Sequence, residues 1–268
     1  MGKSLLQRMR ILFIGDIVGR TGRQCVARWL PRVREAQRPD CVIANAENAA
    51  GGMGATPEIL RELKGFGVQA FTMGNHVWKK DELTAALEAF PELVRPANYP
   101  PGCPGRGAAV ITLPDGRKVG LLNLLGRVFM EPLECPFRTA ENELARIRDL
   151  TPVALVDMHA EATSEKVALG WFLDGRCSAV LGTHTHVQTA DEWILPRGTA
   201  FISDVGMCGP IESVIGVERD IVIQKFLTAM PRKFEIAKGP ASFCAVLLDV
   251  DDVSGRASGI QRIFERET

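Results

Sequence analysis

Residues 10–16 read RILFIGD. The run is apolar without alternation, too short for a typical helix, and stops at Gly15-Asp16. That is the pattern of a strand covered on both faces, the habit of parallel sheets flanked by helices. The same form recurs in DCVIANAEN (40–48), VQAFTMGNH (68–76), VALVDMH (153–159) and SAVLGTH (178–184). Helical patterns lie between. Val26, Trp29, Leu30 and Val33 follow the i, i+3, i+4, i+7 spacing of one helix face, with Pro31 predicting a kink. TPEILRELKGFG (56–67) opens on a Thr cap and a Pro and closes on Gly. KKDELTAALEAF, TAENELARIRDL and TSEKVALGWFLDG offer Asp81, Thr139 and Thr163 as further caps. Alternating β and α units therefore run from residue 10 to about residue 188.

Two regions break the alternation. GAAVITLPDGRKVGLLNLLG (107–126) is a hairpin signal around Pro114-Asp115-Gly116. TAFISDVG, FCAVLLDVDD and SGIQRIF predict more strands with no long helix between them. The expected fold is α/β, with a second mixed sheet packed on the first. No linker, repeat or low-complexity tract divides the chain, so residues 1–268 are expected to form one domain. Residues 1–8 read as a loose leader and Met9 as an alternative start.

Lys plus Arg and Asp plus Glu both total 32, so no global field collects long nucleic acid or anionic lipid. The basic-then-apolar start is interrupted by Asp16 and lacks a cleavage site, and no run reaches the ~18 apolar residues of a membrane helix. Seven cysteines, with no C-x-x-C pair and no zinc spacing, fit a reduced cytoplasmic protein. The glycine-rich runs GDIVGRTGR and AAGGMG match neither the dinucleotide nor the Walker pattern.

In open α/β sheets ligands bind beyond the carboxyl ends of the strands. The apolar runs end in Asp16; Glu47 and Asn48; Asn75 and His76; His159; and His184 with His186, which includes all four histidines of the chain. Each alone has an ordinary reading as cap, turn or satisfied core residue. Together, carboxylates, amides and histidines at one sheet edge call for cations between them. Nitrogen and oxygen donors without thiolate suit Mn, Fe, Zn or Co, and there are more donors than one open tetrahedral site uses, which predicts two ions sharing a carboxylate.

GD after the first strand, GNH after the third, a later isolated His and a terminal GTHTH together resemble the calcineurin-like metallophosphoesterase superfamily. GDIVGRTGR, NAENAAGGMG, TMGNHVW, DMHAEATSEK, VLGTHTHVQTADEWILPRGTAFISDVGMCGP and KFEIAKG are similar to its bacterial YmdB-type branch, from about Met9 to the final strand. The chain departs from the general superfamily pattern in having no His at Asp16-Ile17-Val18, Glu47 where a bridging Asp is usual, and Val77 where many relatives carry an acid. The resemblance implies an α-β-β-α sandwich. It implies Asp16, Glu47, Asn48 and His186 around one metal and Glu47, Asn75, His159 and His184 around the other, with Fe or Mn first and Zn or Co next. It further implies a phosphodiesterase acting on small phosphodiesters, nucleoside 2′,3′-cyclic monophosphates first among them.

In the chemistry expected of such a pair, two ions lower the pKa of a bridging water and neutralise the phosphoryl oxygens, and hydroxide attacks opposite the leaving oxygen. His76, beside a proposed ligand yet not needed as one, is assigned to the leaving group as general acid or hydrogen-bond donor. Rival readings are a phosphomonoesterase or nucleotidase, and a non-catalytic metal-dependent cyclic-nucleotide sensor. Trp78, Phe129, Phe137 and Met207 are candidates for a base pocket by proximity to the motifs, with core packing as their ordinary role. Arg20 and Arg23 lie where phosphate could be contacted, or at a solvated helix start. The apolar GPIESVIGVERDIVIQKFLTAMP (209–231) suits either a homo-oligomer interface or core.

Overall fold

A computed structural model describes residues 8–267. In chain order the strands are β1 (Arg8–Ile14), β2 (Asp16–Ile17), β3 (Cys41–Asn45), β4 (Ala70–Thr72), β5 (Leu93–Val94), β6 (Ala108–Thr112), β7 (Lys118–Leu125), β8 (Ala154–His159), β9 (Ala179–Thr183), β10 (Trp193–Ile194), β11 (Ala200–Ile202), β12 (Met207–Pro210), β13 (Ala241–Asp251) and β14 (Ala257–Arg266). The helices are α1 (Gly19–Gln37), α2 (Pro57–Phe66), α3 (Asp81–Ala86), α4 (Pro136–Arg148), α5 (Thr163–Leu173) and α6 (Arg219–Thr228).

Two mixed sheets result. The first runs β2-β12-β13-β1-β3-β4-β5, with β14 paired to β13; the second runs β10-β11-β9-β8-β7-β6. Each has a parallel centre (β1, β3, β4 and β5; β7, β8, β9 and β11) with antiparallel strands added, including the expected β6–β7 hairpin. The continuous hydrophobicity of RILFIGD has its physical cause in the pleat, which sends successive side chains to opposite faces. Ile11 and Phe13 face the other sheet and meet Leu121, Leu155 and Leu181, whereas Leu12 and Ile14 face α1 and α2 with Val26, Leu30 and Leu60. On the far side, Leu122, Val156 and Val180 pack under α4 and α5. Three apolar layers thus separate α, β, β and α. At ~25 cal/mol per Å² of apolar area buried, these layers are the main favourable term for a fold of this kind.

Several local expectations are corrected. Arg8, read as leader, belongs to β1 and pairs with Asp251, because the strand follows its antiparallel partner β13 to its end; the rest of the proposed leader lies outside the described residues. Thr56 does cap α2, accepting from Ile59 N. Asp81 and Thr163 are instead the first residues inside α3 and α5, whose caps are Lys80 and Ala162, and α4 starts at Pro136, ahead of Thr139. Proline at the first helical position sacrifices only an N–H that has no intrahelical partner, which moves the start upstream. Pro31 sits inside the 19-residue α1 without ending it.

The largest departure is α6, a helix of 10 residues in a region expected to hold strands with no long helix between them. It belongs to a strap, residues 211–239, that leaves β12 and returns to β13. Of its apolar residues Val222 is buried, while Ile223, Phe226, Leu227 and Met230 are exposed, so the segment is not core. All seven cysteines are free, five of them buried. Among the described residues no helix is long and apolar enough to cross a membrane.

Candidate metal centre

The parallel strands of both sheets point their carboxyl ends at one place, and those ends and the loops after them carry the eight candidate metal and catalytic residues. Asp16 follows β1 at the start of β2; Glu47 and Asn48 follow β3; Asn75 and His76 follow β4; His159 ends β8; His184 and His186 follow β9. Tertiary structure brings all eight together. Asp16, Glu47, Asn48 and His159 are buried, while the other histidines are partly open.

One group is tight. His159 Nε2 lies 3.1 Å from Glu47 Oε1, 3.1 Å from Asn75 Oδ1 and 3.0 Å from His184 Nδ1. Such edges are close to the ~3 Å between adjacent ligands of a six-coordinate ion with bonds of ~2.1 Å. A second group is looser: Asn48 Nδ2 is 3.0 Å from the same Glu47 Oε1 and 3.1 Å from His186 Nε2, which lies 3.9 Å from Asp16 Oδ1. Glu47 therefore touches both groups through one oxygen.

Each histidine at the centre has its ring fixed from outside. His159 Nδ1 is 2.8 Å from Thr183 Oγ1, and Thr183 donates to Asp157 Oδ1 at 2.7 Å, so the hydroxyl is left to accept and His159 Nδ1 to donate. Asp157 also takes Asn45 and Thr72 as donors. His184 Nε2 meets Glu161 Oε2 at 3.1 Å, and His186 Nδ1 donates to the Ile215 carbonyl at 2.8 Å. A carboxylate or carbonyl accepts, so all three rings carry their outward proton and turn a lone pair inward. Metal-ligating histidines are held by outer acceptors of this type.

The electrostatics describe the same demand for a cation. Burial works against the charged form of His159, but Glu47, Asp16 and Asp157 outweigh it and raise its pKa to about 9. Burial and the nearby His159 push His184 down to about 3. Burial also opposes charge on Glu47, yet His159 and His76 hold its carboxyl well below the usual range. Burial raises Asp16, and Asp16 Oδ1 has no hydrogen-bond partner. Two inward lone pairs 3.0 Å apart, on His159 and His184, repel unless a proton or a metal ion lies between them.

The donor set fits transition-metal ions. Glu47, His159 and His184 alone offer three ligand atoms within 4.8 Å of one another. Gly74 shows how closely the centre is built: a Cβ there would collide with Glu47 Oε2 and His159 Nε2. Asn48 turns its amide nitrogen toward Glu47 and His186 and its oxygen toward His76 Nδ1, at 2.7 Å. A cation between Glu47 and His186 calls for the opposite orientation, a rotation that exchanges oxygen and nitrogen without moving the backbone.

Parts of this machinery lie in the motifs without the motifs showing what they do. His184 and His186 both have positive φ, 96° and 68°, which is costly for residues with a side chain. Thr185 between them is clamped by Asp204 Oδ2, which accepts from Thr185 N at 3.0 Å and Oγ1 at 2.6 Å and is itself bonded by the buried Lys166 at 2.9 Å. Lys166, Asp204, Thr183 and Glu161 all sit in or beside the quoted motifs, yet only the folded chain shows what they touch.

Above the centre is a cavity of about 490 Å³. His76 lines it, is not bonded to a backbone carbonyl, and presents Nδ1 to Asn48 and Glu47. None of the base-pocket candidates from the sequence reaches the cavity. Trp78 packs edge-on against Tyr99 and Phe137 against Phe172, Met207 is buried in β12, and Phe129 is exposed elsewhere. Arg23 is tied to Glu62 and the Ala49 carbonyl, and Arg20 lines a separate cavity at the start of α1. Val77, in place of an acid, is buried in the core under α1 and α2.

Residues 12–263 match the profile of the YmdB-like protein family. The chain is 48% identical over 256 residues to a Bacillus subtilis (strain 168) protein named 2′,3′-cyclic-nucleotide 2′-phosphodiesterase, with 96% of this chain and 97% of that one covered. It is similar to the crystal structure of a hypothetical protein from Thermus thermophilus, with a TM-score of 0.91 and 44% identity over 97% of this chain and 100% of that one. It is similar also to a structure described as a novel phosphatase of Mycoplasma pneumoniae, with a TM-score of 0.92 and 33% identity over 98% of this chain and 95% of that one. With the family profile spanning residues 12–263 and a relative 48% identical over nearly the whole length of both chains, the chain belongs to the YmdB-like protein family.

Proposed function

We propose that this protein is a metal-dependent phosphodiesterase that hydrolyses nucleoside 2′,3′-cyclic monophosphates, with cleavage at the 2′ oxygen as the name of the Bacillus relative specifies. The observation that carries the reading is the convergence of three inward-facing histidine nitrogens on Glu47 and Asp16, beneath a cavity lined by a histidine that the cluster leaves over. Glu47, Asn75, His159 and His184 would hold one ion and Asp16, Glu47, Asn48 and His186 the other, with Glu47 shared. Fe and Mn suit this N/O set, and Zn or Co would also be accepted. When bound, the two ions supply positive charge for the phosphoryl oxygens and a lowered pKa for water. A cytoplasmic setting belongs to the same reading, supported by the seven free cysteines.

The chain's own contribution is orientation and proton handling. Thr183, Glu161 and the Ile215 carbonyl fix the three rings before substrate arrives, so no reorganisation is needed during reaction. With Asn48 in the orientation a cation calls for, its amide N–H donates to His76 Nδ1, which places the ring proton on Nε2, free to donate to the departing ribose oxygen. The outer bonds give a direct test. Thr183→Val keeps the shape but removes the acceptor for His159 Nδ1–H, and Mn affinity falls ~10- to 100-fold in a calorimetric titration. Thr183→Ser, which restores the hydroxyl, returns affinity close to wild type. Equal affinity in all three proteins would remove Thr183 from the orienting role.

Activity is tested by stripping the protein of metal, refilling it with Mn and assaying 2′,3′-cAMP, bis-p-nitrophenyl phosphate and p-nitrophenyl phosphate. Mn-dependent turnover of the diesters is the expected result. Preference for the monoester would make the protein a phosphatase, and two bound Mn ions without turnover would make it a sensor.

A further inference from the structure

The cavity above the metal centre has a polar floor and apolar walls. Its floor is Glu47, Asn48, His76, His184 and His186. Its walls come from KFEIAKG and the rest of the 211–239 strap, for which the ligand set has no use: Ile215, Val217, Phe234 and Ile236, joined by Met53 of the loop after β3. The strap closes on itself through the Val217–Ile236 bridge and the bonds Glu218 N to Glu235 O, 2.9 Å, and Ala237 N to Gly216 O, 3.0 Å. It meets the loop after β3 at Gly52, where φ is +91° and a Cβ would collide with Ile236 Cδ1.

Two features show that this wall is placed relative to the chemistry. Ile215 is a β-branched residue at φ +48°, a conformation such side chains rarely adopt. Its carbonyl in that conformation accepts the 2.8 Å bond from His186 Nδ1, so the strap is registered on a residue of the centre. Phe234 stays 41% exposed, with Lys225 Nζ of α6 4.6 Å from its ring centroid, and Met53 and Ile215 are exposed to 47% and 50%. Large apolar side chains left open around a cavity beside a polar floor form the usual lining of a small-molecule site. The polar groups among the lining residues are already engaged, Glu161 by His184 and Thr185 by Asp204.

We propose that the strap wall, centred on Phe234 with Ile215, Ile236 and Met53, is the nucleobase subsite, which receives the base by stacking and apolar contact while the phosphodiester lies on the floor. This rests on the proposed phosphodiesterase reading. Apart from the Lys225 ammonium beside Phe234, the wall offers apolar side chains and so recognises a flat aromatic body by its area, which favours purines over pyrimidines.

The test compares full-length, Mn-loaded wild type with Phe234→Ala and Phe234→Trp on 2′,3′-cAMP, 2′,3′-cCMP and base-free ribose 2,3-cyclic phosphate. Metal content and thermal unfolding are measured alongside. In Phe234→Ala the ratio of kcat/KM for 2′,3′-cAMP to that for the base-free diester falls ~5- to 100-fold, mainly through KM, the range expected for one lost base–aromatic stack. Phe234→Trp restores the ratio. Equal losses on all substrates would make Phe234 structural and overturn the subsite, as would an unchanged ratio. Binding of adenosine 3′-monophosphate by calorimetry separates the two readings. If wild type turns over no diester yet binds this nucleotide in a Phe234-dependent way, the subsite stands and the hydrolase reading fails. Turnover of 2′,3′-cAMP without Phe234 dependence has the opposite meaning.

Discussion

Replacing His76 with alanine lowers kcat for 2′,3′-cAMP by about 10²- to 10⁴-fold, the range for loss of a positioned acid, while the protein keeps its wild-type metal content. The separation of the two effects follows from position. His76 Nδ1 faces Asn48 Oδ1 at 2.7 Å and Glu47 Oε1 at 3.4 Å, whereas the three inward-facing nitrogens of the cluster belong to His159, His184 and His186. Its backbone N–H, which alanine keeps, is the group that donates to Glu47 Oε2, at 3.2 Å. Leaving-group chemistry sharpens the expectation. A ribose oxygen departs as a strong base and needs a proton, whereas p-nitrophenolate leaves readily without one. The loss on bis-p-nitrophenyl phosphate is therefore much smaller than on 2′,3′-cAMP. Equal losses on the two would show that His76 binds the phosphoryl group and does not protonate the leaving oxygen; a drop in metal content would make it a ligand.

Glu47→Gln removes one charge with no change in size, and its effect is on both ions together. Glu47 Oε1 is 3.1 Å from His159 Nε2 and 3.0 Å from Asn48 Nδ2, so it is the single atom common to the two donor groups. Metal retained after dialysis falls from two ions per chain to fewer than one, with affinity lowered by more than ~100-fold, beyond the range for an outer-shell partner, and diesterase activity falls with it. Elemental analysis and Mn titration read the effect. Retention of one full-affinity ion would confine Glu47 to a single metal, and retention of both would place the shared charge elsewhere. The variant also leaves His159 without the carboxylate chiefly responsible for raising its pKa, so the metal-free protein loses a buried ion pair, and its unfolding temperature drops relative to metal-free wild type.

The convergence of the candidate residues was legible because parallel strands write themselves plainly. A buried strand needs an unbroken apolar run, and where the run stops the chain leaves the sheet at its carboxyl edge. Asp16, Glu47, Asn75, His159 and His184 stand at such stops, and the structure brings them and their neighbours to one place. The α6 helix was not legible. Most of its apolar side chains are exposed, so it lacks the one-sided burial that gives a surface helix its periodic signature, and a run of Ile, Val, Phe and Leu without that period reads equally as strand, core or interface.

The base-pocket candidates failed for a related reason. Trp78 and Phe137 are near the motifs in sequence but point into packing layers, while Phe234 and Ile236 come from a strap joined to the centre only by folding. The sequence by itself determined that residues of metal-ligating type stand at these strand ends, since residue type and hydrophobic pattern are local properties. Only the tertiary structure decided which nitrogen of each histidine faces inward, that Gly74 alone fits against Glu47 and His159, and that Ile215 is held at φ +48° to bond His186. Those outcomes depend on partners far apart along the chain, 24 positions for His159 and Thr183, 29 for His186 and Ile215 and 112 for Asn45 and Asp157, and no local pattern encodes a partner at that distance.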